Sequence, residues 1–425
     1  MEIKNINIRI SQIVNILNKL LSFNNVIDIN VIENYFRSHK NIGLYDRNEI
    51  NNAIYDILRH LTLYNYLVNS KKTNLEKNIC LAILGLINTN NRLYNYLDND
   101  QKEWIDKIYN YDISSLNANI KYSIPEWIYK SYDNIFNSEA LFNSLNSRAK
   151  LDIRVNPINI NRKSFVKNIK QDFNLIENED FVITKFSPFG IRFNKNIKIN
   201  KWKYYFDGDI EIQDEGSQLI SILVNPRRYE LIIDFCAGSG GKSLLMSALM
   251  HSSGHIYAFD ISNKKLLEAK KRFDRSKLNN ISFIHIKDEC DQKINRFFGK
   301  ANKVLVDIPC TGSGTLRRYP NLKWLHTNES INKIIKLQTK ILIKASQCVK
   351  KDGYLIYSTC SILPEENQLQ IAKFIDKNDS FQIIDIKTLL KNLKIDLPCK
   401  GPFLELRPDI HHTDGFFIAI LKKIK

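Results

Sequence analysis

Leu231-Ile232-Ile233-Asp234-Phe235-Cys236-Ala237-Gly238-Ser239-Gly240-Gly241-Lys242-Ser243 is a short apolar run that ends in an acid, crosses three glycines in four positions and enters an amphipathic segment. The order is strand, turn, helix, with backbone bare enough to approach a ligand at the positive end of the helix. A phosphate-binding loop, G-x-x-x-x-G-K-S/T, fails because Cys236 stands where its first glycine belongs. A dinucleotide fingerprint, G-x-G-x-x-G, fails at Ser243.

Downstream, short apolar runs alternate with amphipathic segments. His255–Asp260, Ile281–Ile284, Val304–Asp307 and Tyr354–Tyr357 read as strands, separated by helical patterns near 242–250, 263–278, 330–350 and 365–377. This succession predicts a mainly parallel sheet with helices on both faces, whose ligands bind at the carboxyl ends of the strands. The glycine loop is then that of a Rossmann-like methyltransferase. Asp260 closes the second strand about 20 residues beyond the glycines, where ribose hydroxyls are accepted in such folds. Asp288, just past the third strand, is a candidate acceptor for an adenine amino group. Either acid alone reads equally as a helix cap or turn residue.

Two further strand ends carry a cysteine: Asp307-Ile308-Pro309-Cys310-Thr311-Gly312-Ser313-Gly314-Thr315 and Tyr357-Ser358-Thr359-Cys360-Ser361-Ile362-Leu363-Pro364-Glu365-Glu366-Asn367. Cys80, Cys290 and Cys348 are expected as buried small hydrophobes. Cys310 and Cys360 differ because they fall where a doubly wound sheet places its active site, so thiolate chemistry is expected of them. A thiolate beside a methyl donor has a specific use. Carbon 5 of a pyrimidine is a poor nucleophile, but thiolate addition to carbon 6 makes it enamine-like. Methyl transfer, loss of the carbon 5 proton and thiolate elimination can then follow on a base drawn out of its stack. Spacing alone does not rank the two cysteines.

Upstream, apolar residues recur at helical spacing (Ile8, Ile13, Leu17, Leu21; Ile54, Ile57, Leu58, Leu61; Leu81, Leu84, Leu86) with Gly and Pro almost absent, which predicts an all-helical domain over 1–140. Residues 150–205 read as a small α+β module, with alternating runs such as Ile153-Arg154-Val155 and Phe181-Val182-Ile183. Two windows there, Arg154 to Lys170 and Lys185 to Lys203, hold basic residues and no acids. Phe165, Phe186, Phe189, Phe193, Trp202, Tyr204 and Tyr205 are interleaved with them. That mixture suits phosphate neutralisation with base stacking, or a solvated basic face with the aromatics turned inward. The catalytic domain is expected over 206–425.

The whole chain is 425 residues with a formal net charge of +17 and pI near 9.3, which makes a polyanion the first partner to consider. The excess is about +2 over 1–150, about +1 over 151–220 and about +14 over 221–425. Seven cysteines with no C-x-x-C pair indicate neither a disulfide framework nor a metal site. With no secretory pattern and no 18-residue apolar run, a cytoplasmic protein is expected.

The blocks Cys236 to Ser243, Ala258 to Ser262, Asp307 to Trp324 and Tyr357 to Gln368 together resemble the signature motifs of RNA cytosine-5 methyltransferases. Ile212 to Leu219 and Asp414 to Ala419 are similar to the family's flanking motifs, so the resemblance spans about 212–421. It implies that Cys360 is the nucleophile and that Cys310 assists release of the bound RNA. It implies an S-adenosyl-L-methionine site made by Cys236, Ala237, Gly238, Ser239, Gly240, Gly241 and Lys242 with Asp260, Asp288 and Asp307, with Lys242 and Asp307 also facing the cytosine. One departure stands out: Gly238-Ser239 replaces the usual Ala-Pro, so the loop lacks proline's fixed φ.

Toward the N-terminus, Leu44-Tyr45-Asp46-Arg47 and Ala53 to Arg59 are similar to features of the NusB-like helical domain of RsmB-type ribosomal RNA methyltransferases. Pro125-Glu126-Trp127-Ile128 and Arg154-Val155-Asn156 also resemble blocks of that subfamily. The resemblance implies a monomer that acts on small-subunit ribosomal RNA, with transfer RNA as the alternative substrate and a non-catalytic RNA-binding assembly factor as the alternative class.

Overall fold

The computed structural model describes residues 6–21, 27–71, 73–132, 138–195 and 197–425. The chain forms two compact units, Met1–Ser147 with Thr315–Asn328, and Arg148–Gly314 with Glu329–Lys425.

The first unit is helical: α1 (Ile6–Leu20), α2 (Asn30–Ser38), α3 (Leu44–Ser70), α4 (Lys77–Thr89), α5 (Asn99–Tyr109), α6 (Ala118–Lys121), α7 (Glu126–Tyr129) and α8 (Ser138–Asn146). On α1 the buried stripe is Ile6, Ile10, Ile13, Ile16, Leu17 and Leu20. Burial of each such side chain is worth about 1.5–3 kcal/mol. Ile8 and Leu21, counted in this stripe from the sequence, are exposed. A capping box opens α5, with the Asp98 side chain accepting from Gln101 N and the Gln101 side chain accepting from Asp98 N.

Thr315–Asn328 was expected inside the catalytic domain, yet it belongs to the helical unit because its side chains are satisfied there. Lys323 is 1% exposed. Its ammonium donates to Arg59 O (2.8 Å), Ser123 O (3.0 Å) and Asn146 Oδ1 (2.5 Å). Trp324 packs against the helical core and donates from Nε1 to Leu58 O at 2.9 Å. Trp127 Nε1 donates to Lys323 O at 3.2 Å.

In the second unit a small antiparallel sheet, β1 (Leu151–Val155), β2 (Phe181–Ile183), β3 (Gly190–Phe193) and β4 (Ile210–Ile212), runs in the order β2-β3-β1-β4. It is accompanied by α9 (Arg162–Phe173) and the single turn α10 (Lys203–Phe206). Because β4 pairs with β1, this layer extends to Ile212, past the boundary expected at 205. Phe165, Phe186, Phe193 and Trp202 are buried. Those rings are therefore core, and the base-stacking role considered for them does not hold. Arg154 is 2% exposed, and Arg192 is spent on Asp152 through two bonds of 2.6 Å.

The main sheet holds β5 (Leu231–Asp234), β6 (His255–Asp260), β7 (Ile281–His285), β8 (Ala301–Asp307), β9 (Val349–Thr359), β10 (Phe381–Ile384), β11 (Leu404–Leu406) and β12 (Phe416–Lys423). The order is β10-β12-β9-β8-β5-β6-β7, with β11 on β12. β5 to β9 are parallel, while β12 is antiparallel to β9 and β10 antiparallel to β12. Its helices are α11 (Glu215–Leu223), α12 (Gly241–Leu249), α13 (Asn263–Arg275), α14 (Asn328–Cys348) and α15 (Gln368–Asp376). Successive residues point to opposite faces, so Ile232, Leu305, Ile356 and Ile418 fill one core and Ile233, Val304, Leu355 and Phe417 the other.

The chain winds from β5 through β6 to β7 on one side and restarts at β8 on the other. That switch leaves a crevice at the carboxyl ends of β5 and β8. Among the described residues no helix is long and apolar enough to cross a membrane.

Candidate active site

Register brings the strand ends together. Asp234 pairs with both Ala258 and Leu305, and Asp307 pairs with Ser358, so the chain leaves four neighbouring strands at one edge. From β5 it turns through Gly238 (φ +56°) and Gly240 (φ +78°), left-handed values that glycine adopts without strain, and enters α12. No atom lies within 4 Å of where a Cβ on Gly238 would stand. The loop therefore has an open backbone face at a helix N-terminus, a cradle suited to an anionic group.

Asp260 ends β6 and fixes this loop. Its Oδ2 accepts from Gly238 N at 2.8 Å and its Oδ1 from Ser262 N at 2.7 Å, and each oxygen keeps a lone pair for a hydroxyl. Asp288 lies past β7 on an exposed turn, with Oδ1 accepting from Cys290 N at 2.8 Å. Cys290 is exposed on that turn, contrary to the expectation that it is buried. Cys80 and Cys348 are fully buried as expected.

Lys242, in the first turn of α12, reaches across to β8 and donates to Asp307 Oδ2 at 2.5 Å. Ser358 Oγ donates to the other oxygen, Oδ1, at 2.9 Å. Burial disfavours the ammonium, but the Asp307 carboxylate outweighs it and holds the Lys242 pKa above the ordinary lysine value. Asp234 is buried at the end of β5, its Oδ2 accepting from Ser243 Oγ at 2.6 Å. Burial raises its pKa to about 7. Sequence reading had noted this residue only as the end of a strand. Cys236 is half-buried, and burial pushes its thiol well above the ordinary value, which disfavours a reactive thiolate there.

The two remaining cysteines meet. Cys310 Sγ and Cys360 Sγ are 3.3 Å apart, both half-buried, and Cys360 is near enough to act electrostatically on Lys242. The contact with Cys360, then burial, pushes the Cys310 thiol well above its ordinary value.

The loops that carry these thiols are braced by residues the sequence did not single out. Glu366 is fully buried and accepts from Thr311 N (2.9 Å), Thr311 Oγ1 (2.6 Å) and Gln338 Nε2 (2.9 Å). Gly314 N donates to Cys360 O at 2.9 Å. A Cβ on Gly314 would stand 2.1 Å from Gly415 O, so only glycine permits that approach. The Pro-Glu-Glu spacing after Cys360 was the available signal for Glu366. Nothing local marks Gln338, which comes from α14.

Comparison with known proteins agrees with this geometry. Residues 221–422 match the family described as 16S rRNA methyltransferase RsmB/F. The probable ribosomal RNA small subunit methyltransferase B of Synechocystis sp. is 28% identical over 360 residues, covering 84% of this chain and 77% of its own. The solved structure of PH0851 is 24% identical, covers 98% of each chain and superposes with a TM-score of 0.74. A methyltransferase homolog protein from Pyrococcus horikoshii is 26% identical, covers 74% of this chain and all of its own (100%), and gives a TM-score of 0.62. The matched span contains every strand end that builds the crevice, and over that span the chain is similar to the RsmB/F methyltransferases.

Proposed function

We propose that this protein transfers a methyl group from S-adenosyl-L-methionine to carbon 5 of a cytosine in small-subunit (16S) ribosomal RNA, through a covalent bond between Cys360 and the base. The observation that carries the reading is the pair of thiols 3.3 Å apart on adjacent strand ends, beside the Lys242–Asp307 pair.

The donor is assigned to the backbone from Cys236 to Lys242 with Asp260, Asp288 and Asp307. The open face at Gly238 and the helix N-terminus suit its carboxylate, and the lone pairs of Asp260 suit its ribose hydroxyls. When bound there it supplies the electrophilic methyl.

The protein's own groups do the rest. The Cys360 thiolate forms a bond to carbon 6, and the carbon 5–carbon 6 π electrons become available at carbon 5. Lys242 donates to a ring acceptor as charge builds, and Asp307, held by Ser358, accepts from the exocyclic amine. After carbon 5 is methylated, its proton passes to a base, the sulfur–carbon 6 bond breaks and the electron pair returns to Cys360. Cys310, protonated and 3.3 Å away, is placed to donate to that leaving thiolate. The helical unit is read as the NusB-like RNA-binding module, and its relatives' names point to small-subunit rRNA as substrate.

The test is a panel of unmodified 16S ribosomal RNA and transfer RNA with methyl-labelled donor, followed by digestion to nucleosides. Label in 5-methylcytidine from 16S ribosomal RNA is expected, and Cys360→Ala is expected to give none. Label on transfer RNA alone, or an active Cys360→Ala enzyme, contradicts the reading.

A further inference from the structure

We infer that Arg272, locked by Glu211 of the small sheet, is a positioning residue that clamps the donor loop. The inference rests on the reading of that loop as the donor site.

Gly238, Gly240 and Gly241 offer no side chain to pack, and ordering such a loop on binding costs conformational entropy. On its inner side the loop is tied by Gly240 N to Ala237 O at 2.9 Å and by Asp260. On its outer side it is tied by a guanidinium. Arg272 Nη1, from α13, donates to Ser239 O at 2.9 Å and to Ser239 Oγ at 3.1 Å. Its Nη atoms also lie 3.6–3.7 Å from where a Cβ on Gly241 would stand. Ser239 is the one loop residue between the glycines with a side chain, and that side chain faces the clamp.

Arg272 is itself fixed. Its Nε and Nη2 donate to Glu211 Oε2 at 3.1 and 3.0 Å. Glu211 lies on β4 with its side chain 2% exposed, and its other oxygen accepts from Arg275. Arg275 in turn covers the Tyr205 ring at 3.9 Å. Arg154, paired with Glu211 in register across β1 and β4, reaches Gly241 O by a longer contact of 3.5 Å. One buried carboxylate therefore holds two guanidiniums, Arg272 and Arg275, while Arg272 and the neighbouring Arg154 address loop carbonyls. A planar fork suits this double duty, with one edge on the carboxylate and the other on the loop. The small sheet is thereby part of the donor site, and the mobility expected of a loop without proline is taken up by Arg272.

The test is calorimetric titration of the full chain with S-adenosylhomocysteine, together with the donor KM and kcat. Arg272→Met leaves Glu211 paired with Arg275, so the fold is expected to survive. Losing a charge-assisted anchor should weaken binding and raise the donor KM about tenfold, while kcat at saturating donor stays within about twofold. Arg272→Lys should recover part of the loss. Ser239→Gly, which removes no charged group, should weaken binding about threefold with an unchanged melting temperature. Binding by Arg272→Met within twofold of the unmodified chain, or a loss confined to kcat, overturns the clamp. Failure of the unmodified chain to bind S-adenosylhomocysteine would remove the donor-site reading, and the clamp with it.

Discussion

Lys242 and Lys323 are both withdrawn from water, yet their surroundings treat the charge in opposite ways. Lys242 meets the Asp307 carboxylate at 2.5 Å and is held above the ordinary lysine pKa. Lys323 meets two backbone carbonyls and an amide oxygen, and burial, with Arg59 near, pushes its pKa well below the ordinary value. The first arrangement keeps a cation in a crevice beside two thiols, where the proposed mechanism has a reacting base use it. The second spends all three donors on fixed acceptors and leaves nothing for a substrate. The side-chain type is the same in the two places, half-buried at Lys242 and fully buried at Lys323, and a carboxylate partner is present only at the first.

The sharpest way to break this contrast is to remove each ammonium in turn. Lys242→Met is expected to lower kcat/KM by about 10²–10³-fold, the usual cost of losing a group aimed at developing charge, while folding is little changed. An equal loss from Lys323→Met at unchanged melting temperature would erase the distinction. Lys323→Ala should act on stability instead, by about 3 kcal/mol or more, because it orphans three buried acceptors and opens a cavity. Denaturant unfolding followed in the helical unit checks this.

The slope with pH sharpens the contrast further. Because the folded Lys323 pKa lies below that of the unfolded chain, the unfolded state binds more protons between the depressed value and 10.5. Unfolding free energy of the unmodified chain relative to Lys323→Met should therefore rise with pH in that window. A slope of opposite sign is expected at Asp234. Its folded pKa, near 7, exceeds the ordinary 3.8, so its contribution to stability falls as pH rises through that interval. Asp234→Asn should gain on the unmodified chain from pH 4 to pH 7, by about 4 kcal/mol if the full shift is expressed. A gap that is flat with pH would contradict the assignment.

Much of the α/β unit was legible because its signals are local. Strand, glycine loop and helix follow one another between Leu231 and Leu249, and the two cysteines announce themselves by their turns. The parts that were missed depend on residues far apart in sequence. β4 joins the small sheet only because Ile210–Ile212 pairs with Ile153–Val155. Thr315–Asn328 leaves its flanking motifs for the helical unit because Lys323 and Trp324 find acceptors on Leu58, Arg59, Ser123 and Asn146. The aromatics of 165–202 looked available for stacking since period alone does not say which face of a short strand is inward. Glu211 and Arg272 lie 61 residues apart, and no local pattern links them.

The measurement that bears most directly on the covalent mechanism is peptide mapping of the Cys310→Ala variant after incubation with 16S ribosomal RNA and S-adenosyl-L-methionine. Nuclease and protease digestion followed by mass spectrometry should find a methylated cytidine nucleotide on the peptide that carries Cys360, since the leaving thiolate has lost its neighbouring donor. A nucleotide on any other residue, or rapid turnover with no adduct, would contradict the account.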